Sequence, residues 1–357
     1  MAVSGADASA PSASLYRAQA VAIQLAMSIP AMRRAHHQIC GLPAGWPLYA
    51  YQGSTRLSPT DPRSSWLRQP DPLHTRSWLI SKTLDDAMWY DRSVWSFERN
   101  IASQPVKFGR VHPTRYSTLD EPGDPDTVAA WIVDGVMLTP DEFRRRFIAF
   151  EWGGIGGLRR YGYQLLSLYA DLQAAAGNYA RAPHPKAILK NSGPDLDDDE
   201  IDALLDDWEA ARSTRSVGYL NKSMEYEDHG WNAKDLQLVE SREHSALEVA
   251  RLTGLPAAAV DAATGSMTYG NIVEYRKDLR EALRPWTNPI VDTLSMDDRT
   301  AAAPRGLVLP YGISAGFDDD AYLRDDALTR MQTWAAGIET GVLDLADAQA
   351  QEPLSRS

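Results

Sequence analysis

The sequence predicts an α+β, helix-rich fold, and three observations support that prediction. Apolar residues recur every three or four positions in residues 272–296, which places them on one face of a helix: Ile272, Tyr275, Leu279, Leu283, Trp286, Ile290 and Leu294. A second series follows the a/d heptad spacing of a long helix: Leu158, Tyr161, Leu165, Leu168 and Leu172. Finally, Asp134 and Gly135 separate the segments WIV and VML, which is a β-hairpin signal.

Composition limits the classes of function. The chain has 357 residues, of which 44% are hydrophobic and 24% charged, which is enough for one large core or two to three smaller ones. A formal net charge of -12 argues against a protein that grips nucleic acid by neutralising phosphates, but it allows DNA to pass without tight binding. The single cysteine, Cys40, excludes an internal disulfide, and we expect a soluble protein made in a reducing cytoplasm.

The first part of the chain predicts a mixed α/β region after a disordered segment at 1–14. Prolines and polar residues in 53–73 indicate a surface loop, which Trp66 should anchor to the core. Residues 75–89 predict a helix, and the aromatic run at 90–111 predicts strand structure.

Two features of this region resemble binding sites but lack the required residues. The glycines of GGIGG (153–157) are not followed by the Lys and Ser/Thr of a phosphate-binding loop, and their spacing does not fit a dinucleotide fingerprint. His36 and His37 are adjacent, so on a helix they diverge and cannot share a metal ion.

The basic cluster Arg144, Arg145 and Arg146 has two interpretations that stay open: a solvated strand edge, or a contact with DNA or a neighbouring subunit.

Residues 183–235 predict a strand, a helix and a strand. Asp197 or Asp198 should cap the helix, with further acids in its first turn. An apolar face is predicted on this helix, formed by Ile201, Leu204, Leu205, Trp208 and Ala211. The acidic residues should face solvent: Asp197, Asp198, Asp199, Glu200, Asp202, Asp206 and Asp207.

The segment 255–296 is the most distinctive of the chain. Its first part, 257–271, is small, polar and contains Gly265 and Gly270, which predicts an exposed loop. The helix that follows contains Pro285 and Pro289, and each proline removes an amide donor and crowds the preceding turn, so a kink is expected there.

Together with LVESREHSALEVARLTGLP before it, this segment resembles the portal proteins of tailed bacteriophages, in which a tunnel loop precedes a long helix kinked at proline. SIPAMRRAHHQICGLPAGWPLYAY is similar to an early segment of that family, whereas 344–348 lacks the arginine of the family's C-terminal helix start. The resemblance implies a portal-type architecture, in order: wing 15–157, stem helix 158–182, clip 183–235, second stem helix 236–254, tunnel loop 255–271, channel helix 272–296, and wing return with a short C-terminal region 297–357.

The resemblance also implies the function. A portal protein forms a ring, twelve copies in this family, at one capsid vertex of the virion, and its channel serves genome packaging and ejection. The implied partners are other copies of the chain, the major capsid protein, the terminase large subunit, the head-tail adaptor and the double-stranded DNA in the channel, with no membrane. The tunnel-loop residues would face that DNA: Gly265, Ser266, Met267, Thr268, Tyr269, Gly270 and Asn271.

The strongest alternative is another phage structural protein, such as a different connector or a baseplate subunit. A carboxylate-dependent hydrolase is the least favoured class, because acid-rich solvent-facing runs do not fix two carboxylates across a pocket. No His-Glu-x-x-His helix or Cys-x-x-Cys pair occurs in the sequence. We therefore expect a protein with no enzymatic activity, cofactor or metal.

Overall fold

The structure is a computed structural model, and its chain forms two compact units, Met1–Leu166 with Ala246–Ser357, and Ser167–Ser245. Each unit is described by itself below. The residues that the structure describes are 23–100, 105–181, 187–191, 193–194, 196–213, 224–228, 238–260, 269–298, 305–319, 322 and 327–342.

Helices dominate the described residues. In chain order they are α1 (Pro30–His36), α2 (Arg76–Tyr90), α3 (Pro140–Arg144), α4 (Leu158–Tyr161), α5 (Tyr163–Arg181), α6 (Asp198–Ser213), α7 (Leu238–Thr253), α8 (Tyr269–Leu294) and α9 (Ala327–Glu339). A π-helix, His37–Gly41, continues directly from α1. Short 3-10 turns lie at Pro43–Gly45, Ser65–Arg68, Pro113–Arg115 and Ala257–Val260.

The strands form small antiparallel sheets. They are β1 (Leu48–Gln52), β2 (Thr55–Arg56), β3 (Arg92–Arg99), β4 (Pro105–Val111), β5 (Tyr116–Glu121), β6 (Asp124–Val133), β7 (Val136–Leu138), β8 (Phe147–Glu151), β9 (Ala187–Asn191), β10 (Met224–Asp228), β11 (Asp297–Asp298), β12 (Arg305–Gly306) and β13 (Ile313–Phe317). The sheet orders are β4-β3-β8, β5-β6-β7, β13-β1-β2, β9-β10 and β11-β12. Long helices with small antiparallel sheets confirm the predicted α+β class.

The core of the first unit lies between α2 and the sheet β4-β3-β8. Thr75 caps α2 by accepting from the Trp78 amide, so the helix begins where the sequence predicted. Trp95 of β3 is fully buried, packs edge-on against the Phe150 ring at 4.7 Å, and donates its indole N–H to Thr83 at 2.8 Å. The ring of Trp66 stacks on Phe108 of β4 at 4.3 Å, which confirms that this tryptophan anchors the surface loop.

The same unit contains the predicted hairpin and a long-range strand pairing. Asp134 (φ 51°) and Gly135 (φ 79°) join β6 to β7 with the positive φ angles of a type I′ turn. β13 pairs antiparallel with β1, from Leu48 opposite Phe317 to Gln52 opposite Ile313. Residues beyond 297 therefore return to the N-terminal part of the first unit.

The second unit contains most of α5, all of α6 and the start of α7. β9 and β10 pair antiparallel, and α6 lies between them in the sequence, so the described elements follow the predicted order. The sequence offers two strand candidates after the helix, SVGYL (216–220) and SMEYE (223–227), and the first of them lies outside the described residues. Whether this unit serves as a clip stays a prediction.

The predicted heptad seam, which starts at Leu158, was wrong about which residues of the helix are buried. The helical run is interrupted at Gly162, where a side chain would meet the Leu158 carbonyl and the Leu252 side chain at 2.9 Å, so glycine permits close approach of α7. The residues that are buried are Leu158, Leu166 and Tyr169, whereas Tyr161 and Leu168 are 59% and 57% exposed.

The predicted exposed loop after 257 was also wrong at its start. Ala257–Val260 forms a 3-10 turn, and both Ala259 and Val260 are buried. The preceding helix α7 ends at Thr253 and is followed by Gly254 (φ 69°), and the Leu255 amide donates to the Ala250 carbonyl at 3.1 Å. This Schellman-type ending turns the chain inward, so small apolar residues that resembled loop composition pack in the core.

Candidate functional site

The candidate site is built around α8, the proline-containing helix. Its predicted apolar face is confirmed, because five members of the predicted series are almost fully buried: Leu279, Leu283, Trp286, Ile290 and Leu294. Ile272 and Tyr275, nearer the start, are half-buried. The side chains on the opposite face are exposed and mixed in charge, including Glu274, Arg276, Lys277, Asp278, Glu281 and Arg284.

Both prolines lie inside α8, as the sequence predicted. A proline at 285 leaves the Glu281 carbonyl without its usual amide donor, and one at 289 does the same to the Pro285 carbonyl. Thr287, between them, turns its hydroxyl back to the Leu283 carbonyl at 3.3 Å and the Arg284 carbonyl at 3.4 Å. Such back-bonding accompanies helix bending, but the kink at Pro285 and Pro289 stays a prediction.

Two tryptophans tie the proline region to its neighbours. The Trp152 indole N–H, just after β8, donates to the main-chain carbonyl of Trp286 at 2.9 Å. The Trp286 indole N–H in turn donates to the carbonyl of Thr253, the last residue of α7, at 3.3 Å. Both contacts are buried, where an unpaired donor is costly. This Trp152–Trp286–Thr253 relay links a sheet edge, the proline helix and the end of α7 within the first unit.

The glycine loop 153–157 holds Trp152 in position by binding a carboxylate of the chain itself. The amides of Gly154 and Gly156 donate to the Asp91 carboxylate at 2.7 and 2.9 Å, and the Trp152 amide donates to the Asp91 carbonyl at 3.2 Å. A side chain at Gly156 would lie 1.9 Å from the Ala87 carbonyl oxygen. The loop is therefore an anion-binding turn occupied by Asp91, which is consistent with rejecting a phosphate loop.

The predicted tunnel loop is divided by the start of α8. Gly265, Ser266, Met267 and Thr268 lie outside the described residues. Tyr269, Gly270 and Asn271 were predicted as loop but form the first turn of α8. The boundary was placed too late because a glycine and an asparagine are poor helix formers in an interior but are tolerated in a first turn.

The acidic helix α6 is capped as predicted, and of the two predicted capping residues, Asp197 and Asp198, it is Asp197 that caps the helix. Asp197 accepts the Glu200 amide at 2.9 Å, while the Glu200 carboxylate accepts the Asp197 amide at 3.3 Å, which is a reciprocal capping box. All seven predicted acidic residues are exposed: Asp197, Asp198, Asp199, Glu200, Asp202, Asp206 and Asp207. The apolar face of the same helix is not covered either, since Ile201 is 40% exposed and Leu205 51%.

One group of side chains in the described part of the chain brings together possible metal ligands. The ligand atoms of His36, Cys40 and Asp85 all lie within 4.8 Å of one another. His37 is exposed and does not belong to this group. Apart from the helical spacing of His36 and Cys40, no sequence pattern indicated this group, because Asp85 comes from a different helix.

This group does not make Cys40 a nucleophile. Burial, followed by the negative charge of Asp85, raises the pKa of the Cys40 thiol well above its ordinary value, so the thiol is neutral at pH 7. The sequence predicts an apolar setting for Cys40, and this prediction was wrong, since a nitrogen of His36 and a carboxylate oxygen of Asp85 lie within 4.8 Å of the thiol sulfur.

Comparison with solved structures places this fold among portal-type proteins. The chain is similar to an HK97 family phage portal protein from Corynebacterium diphtheriae (22% identity, TM-score 0.61, 84% of this chain and 96% of that chain). It is also similar to a chain in the neck of an empty gene transfer agent particle computed with C6 symmetry (17% identity, TM-score 0.63, 96% and 94%). A chain in the neck of the native particle, computed with C12 symmetry, matches at 16% identity and a TM-score of 0.62, with 94% and 93% covered.

The family follows from the sequence itself. The model of the phage portal protein family matches residues 30–352, and the chain belongs to that family. The family is structural and non-enzymatic, in agreement with the prediction that the protein is not an enzyme. A search of curated proteins found no match. Of the helices in the described part of the chain, none combines the length and apolar character needed to span a bilayer.

Proposed function

We propose that this protein forms a closed ring of twelve copies at one vertex of a phage capsid, where its channel carries the genome during packaging and ejection. The observation that carries the proposal is the family match over residues 30–352, because it includes every helix from α1 to α9. A similar chain occurs in a particle neck computed with C12 symmetry, which supports the copy number.

The exposed apolar residues are the surface that ring formation would cover. Tyr161, Leu168, Ile201 and Leu205 are 40% to 59% exposed in the single chain, whereas the apolar face of α8 is buried. Cyclic symmetry lets each copy cover one face of the next copy and present its own. Tyr161 and Leu168, two members of the predicted heptad seam that this chain leaves exposed, would then contact the neighbouring copy.

The channel is assigned to the loop before α8 and to the exposed face of that helix. Ser266, Met267, Thr268 and Tyr269 carry no charge, so they would contact the duplex sterically, without the phosphate pairing that hinders sliding. Gly265 would act as a hinge that lets each copy of the loop move separately. Gly270 was predicted as a second hinge, but it lies in the first turn of α8.

Two proline substitutions test the channel assignment. Gly265→Pro should stiffen the loop and lower the amount of genome packaged while rings still form. Gly270→Pro is the matched control, because Gly270 lies in the first turn of α8, where a proline is tolerated. Equal packaging by wild type and Gly265→Pro would contradict the assignment.

The acidic unit between β9 and β10 is assigned to the narrow end, where it would meet the terminase large subunit and then the head-tail adaptor. Deleting residues 194–212 should leave the packing of the wing intact and abolish adaptor attachment. Replacing Asp202, Asp206 and Asp207 with asparagine keeps the helix and tests the charge alone. Normal tail joining by the deletion variant would contradict this assignment.

The position in the particle separates a portal from another connector or a baseplate subunit. A wing built from 15–157 and 297–357 would contact the major capsid protein around a single vertex. Gold labelling of a tagged copy in DNA-filled heads without tails should mark one vertex of each head. Label at all vertices, or only on tails, would refute the portal role.

A further inference from the structure

We propose that His36, Cys40 and Asp85 form a binding site for one divalent transition metal ion, with Zn²⁺ the best fit. The three ligand atoms, one imidazole nitrogen, one thiol sulfur and one carboxylate oxygen, lie within 4.8 Å of one another. Zn²⁺ takes this mixture of ligands, at about 2.0–2.3 Å each in a tetrahedral arrangement. A tetrahedron of that size has ligand atoms about 3.3–3.6 Å apart, so small side-chain movements would complete the site.

The backbone brings two of the ligands to the same side of one helix. His36 is the last residue of α1, and Cys40 follows within the π-helix His37–Gly41. The Leu42 amide bonds to the His37 carbonyl at 3.3 Å, five residues back, which defines the wider turn. Such π-helical turns are frequently found at functional sites.

The third ligand comes from α2 and is already oriented. His36 Nε2 lies 3.0 Å from Asp85 Oδ1, a contact that the metal ion would replace, and Trp89 Nε1 donates to the same oxygen at 3.1 Å. Lys82 Nζ donates to the outer oxygen Oδ2 at 3.0 Å. Carboxylates that bind metals are held by such outer partners, and the side chain of Lys82 is 40% exposed, so it can turn toward solvent.

Charge balance favours a divalent ion at this position. Cys40 is 1% exposed, and a thiolate there is unfavourable without a cation. A divalent ion would replace the thiol proton, which goes to solvent, and would bind a thiolate, a carboxylate and a neutral imidazole. The sum of these charges is zero, which suits a site with a buried cysteine and two partly exposed ligands. A water molecule would complete four-fold coordination.

The proposed consequence is that the metal ion crosslinks two helical segments. The metal would join the π-helical segment after α1 to α2, and α2 carries the core of the first unit. Because the metal ion would bind the folded state and not the unfolded state, it should raise the melting temperature.

Co²⁺ spectroscopy tests this proposal on the full-length protein. After dialysis against a chelator, titration with Co²⁺ should produce a thiolate-to-cobalt charge-transfer band that saturates at one ion per chain. Because the chain has a single cysteine, the band reports on Cys40 alone. Zn²⁺ should displace the cobalt and raise the melting temperature.

Variants distinguish the proposed site from chance binding by a thiol. Cys40→Ala should remove the band, and His36→Gln and Asp85→Asn should each weaken binding at least about tenfold, the effect that loss of even an outer partner can produce. His37→Gln, next in sequence but outside the group, is the matched control and should bind normally. Circular dichroism checks that each variant is folded. If Asp85→Asn does not fold, His36→Gln alone tests whether a second ligand contributes to metal binding. Absence of the band, or a band unchanged in both His36→Gln and Asp85→Asn, would overturn the proposal.

Discussion

Helices α8 and α6 have the same kind of amphipathic sequence but different surroundings. The apolar face of α8 is completely buried at Leu279, Leu283 and Ile290, whereas Ile201 and Leu205 on α6 remain exposed. Periodicity predicts that a helix has an apolar face, but not whether that face is covered by its own chain or by another. In a protein that assembles, the uncovered face identifies the surface left for a partner.

The largest expected difference in loss of stability is between two leucine-to-alanine variants, one on each of these helices. Leu283→Ala should lower the free energy of unfolding by about 2–5 kcal/mol, because it leaves a cavity in a fully buried face. Leu205→Ala, on the half-exposed face, should change it by less than about 0.5 kcal/mol. Urea unfolding of the two variants at low protein concentration measures both. Equal losses would show that the contrast between the helices is wrong.

The buried ion pair of the first unit should also be sensitive. Arg110 donates to both oxygens of Asp86, which is 1% exposed, and Ser93 donates to it at 2.9 Å. Arg110→Met would leave the carboxylate buried without its cation, so we expect a loss of about 3–5 kcal/mol. Arg115→Met breaks an exposed pair with Asp134 and should cost under about 1 kcal/mol. Thermal unfolding of the two variants measures their losses of stability, and losses of similar size would contradict this prediction.

A smaller effect is expected at the tryptophan relay. Trp152→Phe keeps an aromatic ring but removes the donor to the Trp286 carbonyl, which should cost about 1–3 kcal/mol. Trp78→Phe, at a tryptophan 36% exposed, is the control and should be nearly neutral. An equal response to both substitutions in denaturant unfolding would show that the relay does not stabilise the proline helix.

A steric test addresses the loop that holds Trp152. Gly156→Ala would place a methyl group 1.9 Å from the Ala87 carbonyl oxygen, and the required backbone shift should cost about 1–3 kcal/mol. Gly45→Ala has nothing within 4 Å and serves as the control. The comparison is made by unfolding in urea, and full stability of Gly156→Ala would mean that the loop adapts.

The smallest effect is expected at the cap of α6. Asp197→Ala removes the side chain that accepts the Glu200 amide and should reduce helix stability by about 1 kcal/mol. Asp207→Ala, later in the same helix, removes a charge without removing a cap. Far-ultraviolet circular dichroism during thermal unfolding compares the two. A larger effect at Asp207 would show that α6 depends on its charges rather than on its capping box.

The sequence predicted local features well and long-range contacts poorly. The α8 face, the Asp134-Gly135 turn and the Thr75 start of α2 depend on residues a few positions apart, so spacing and capping rules apply directly. Trp152 and Trp286 are 134 positions apart, and Gly154 and Asp91 are 63 apart. Those contacts depend on how the elements pack, and one sequence carries no signal for that packing.

Two errors show where composition misled the prediction. Residues 257–260 are small and resemble a loop, yet the Gly254 turn directs Ala259 and Val260 into the core. Tyr161 and Leu168 fit a heptad seam, but the chain buries Leu158 and Leu166 instead. In both cases a glycine sets the local path, and a pattern of apolar residues does not reveal which neighbour approaches it.

Electron microscopy of the purified full-length protein tests the central claim most directly. If the exposed faces of α5 and α6 are contacts between copies, end-on class averages should show closed rings of twelve subunits around an open channel. Leu168→Glu and Leu205→Glu together should leave the fold intact and prevent those rings, because each would bury a charge at a subunit contact. A wild-type protein that remains monomeric at micromolar concentration, with no rings in assembled particles, would contradict the claim.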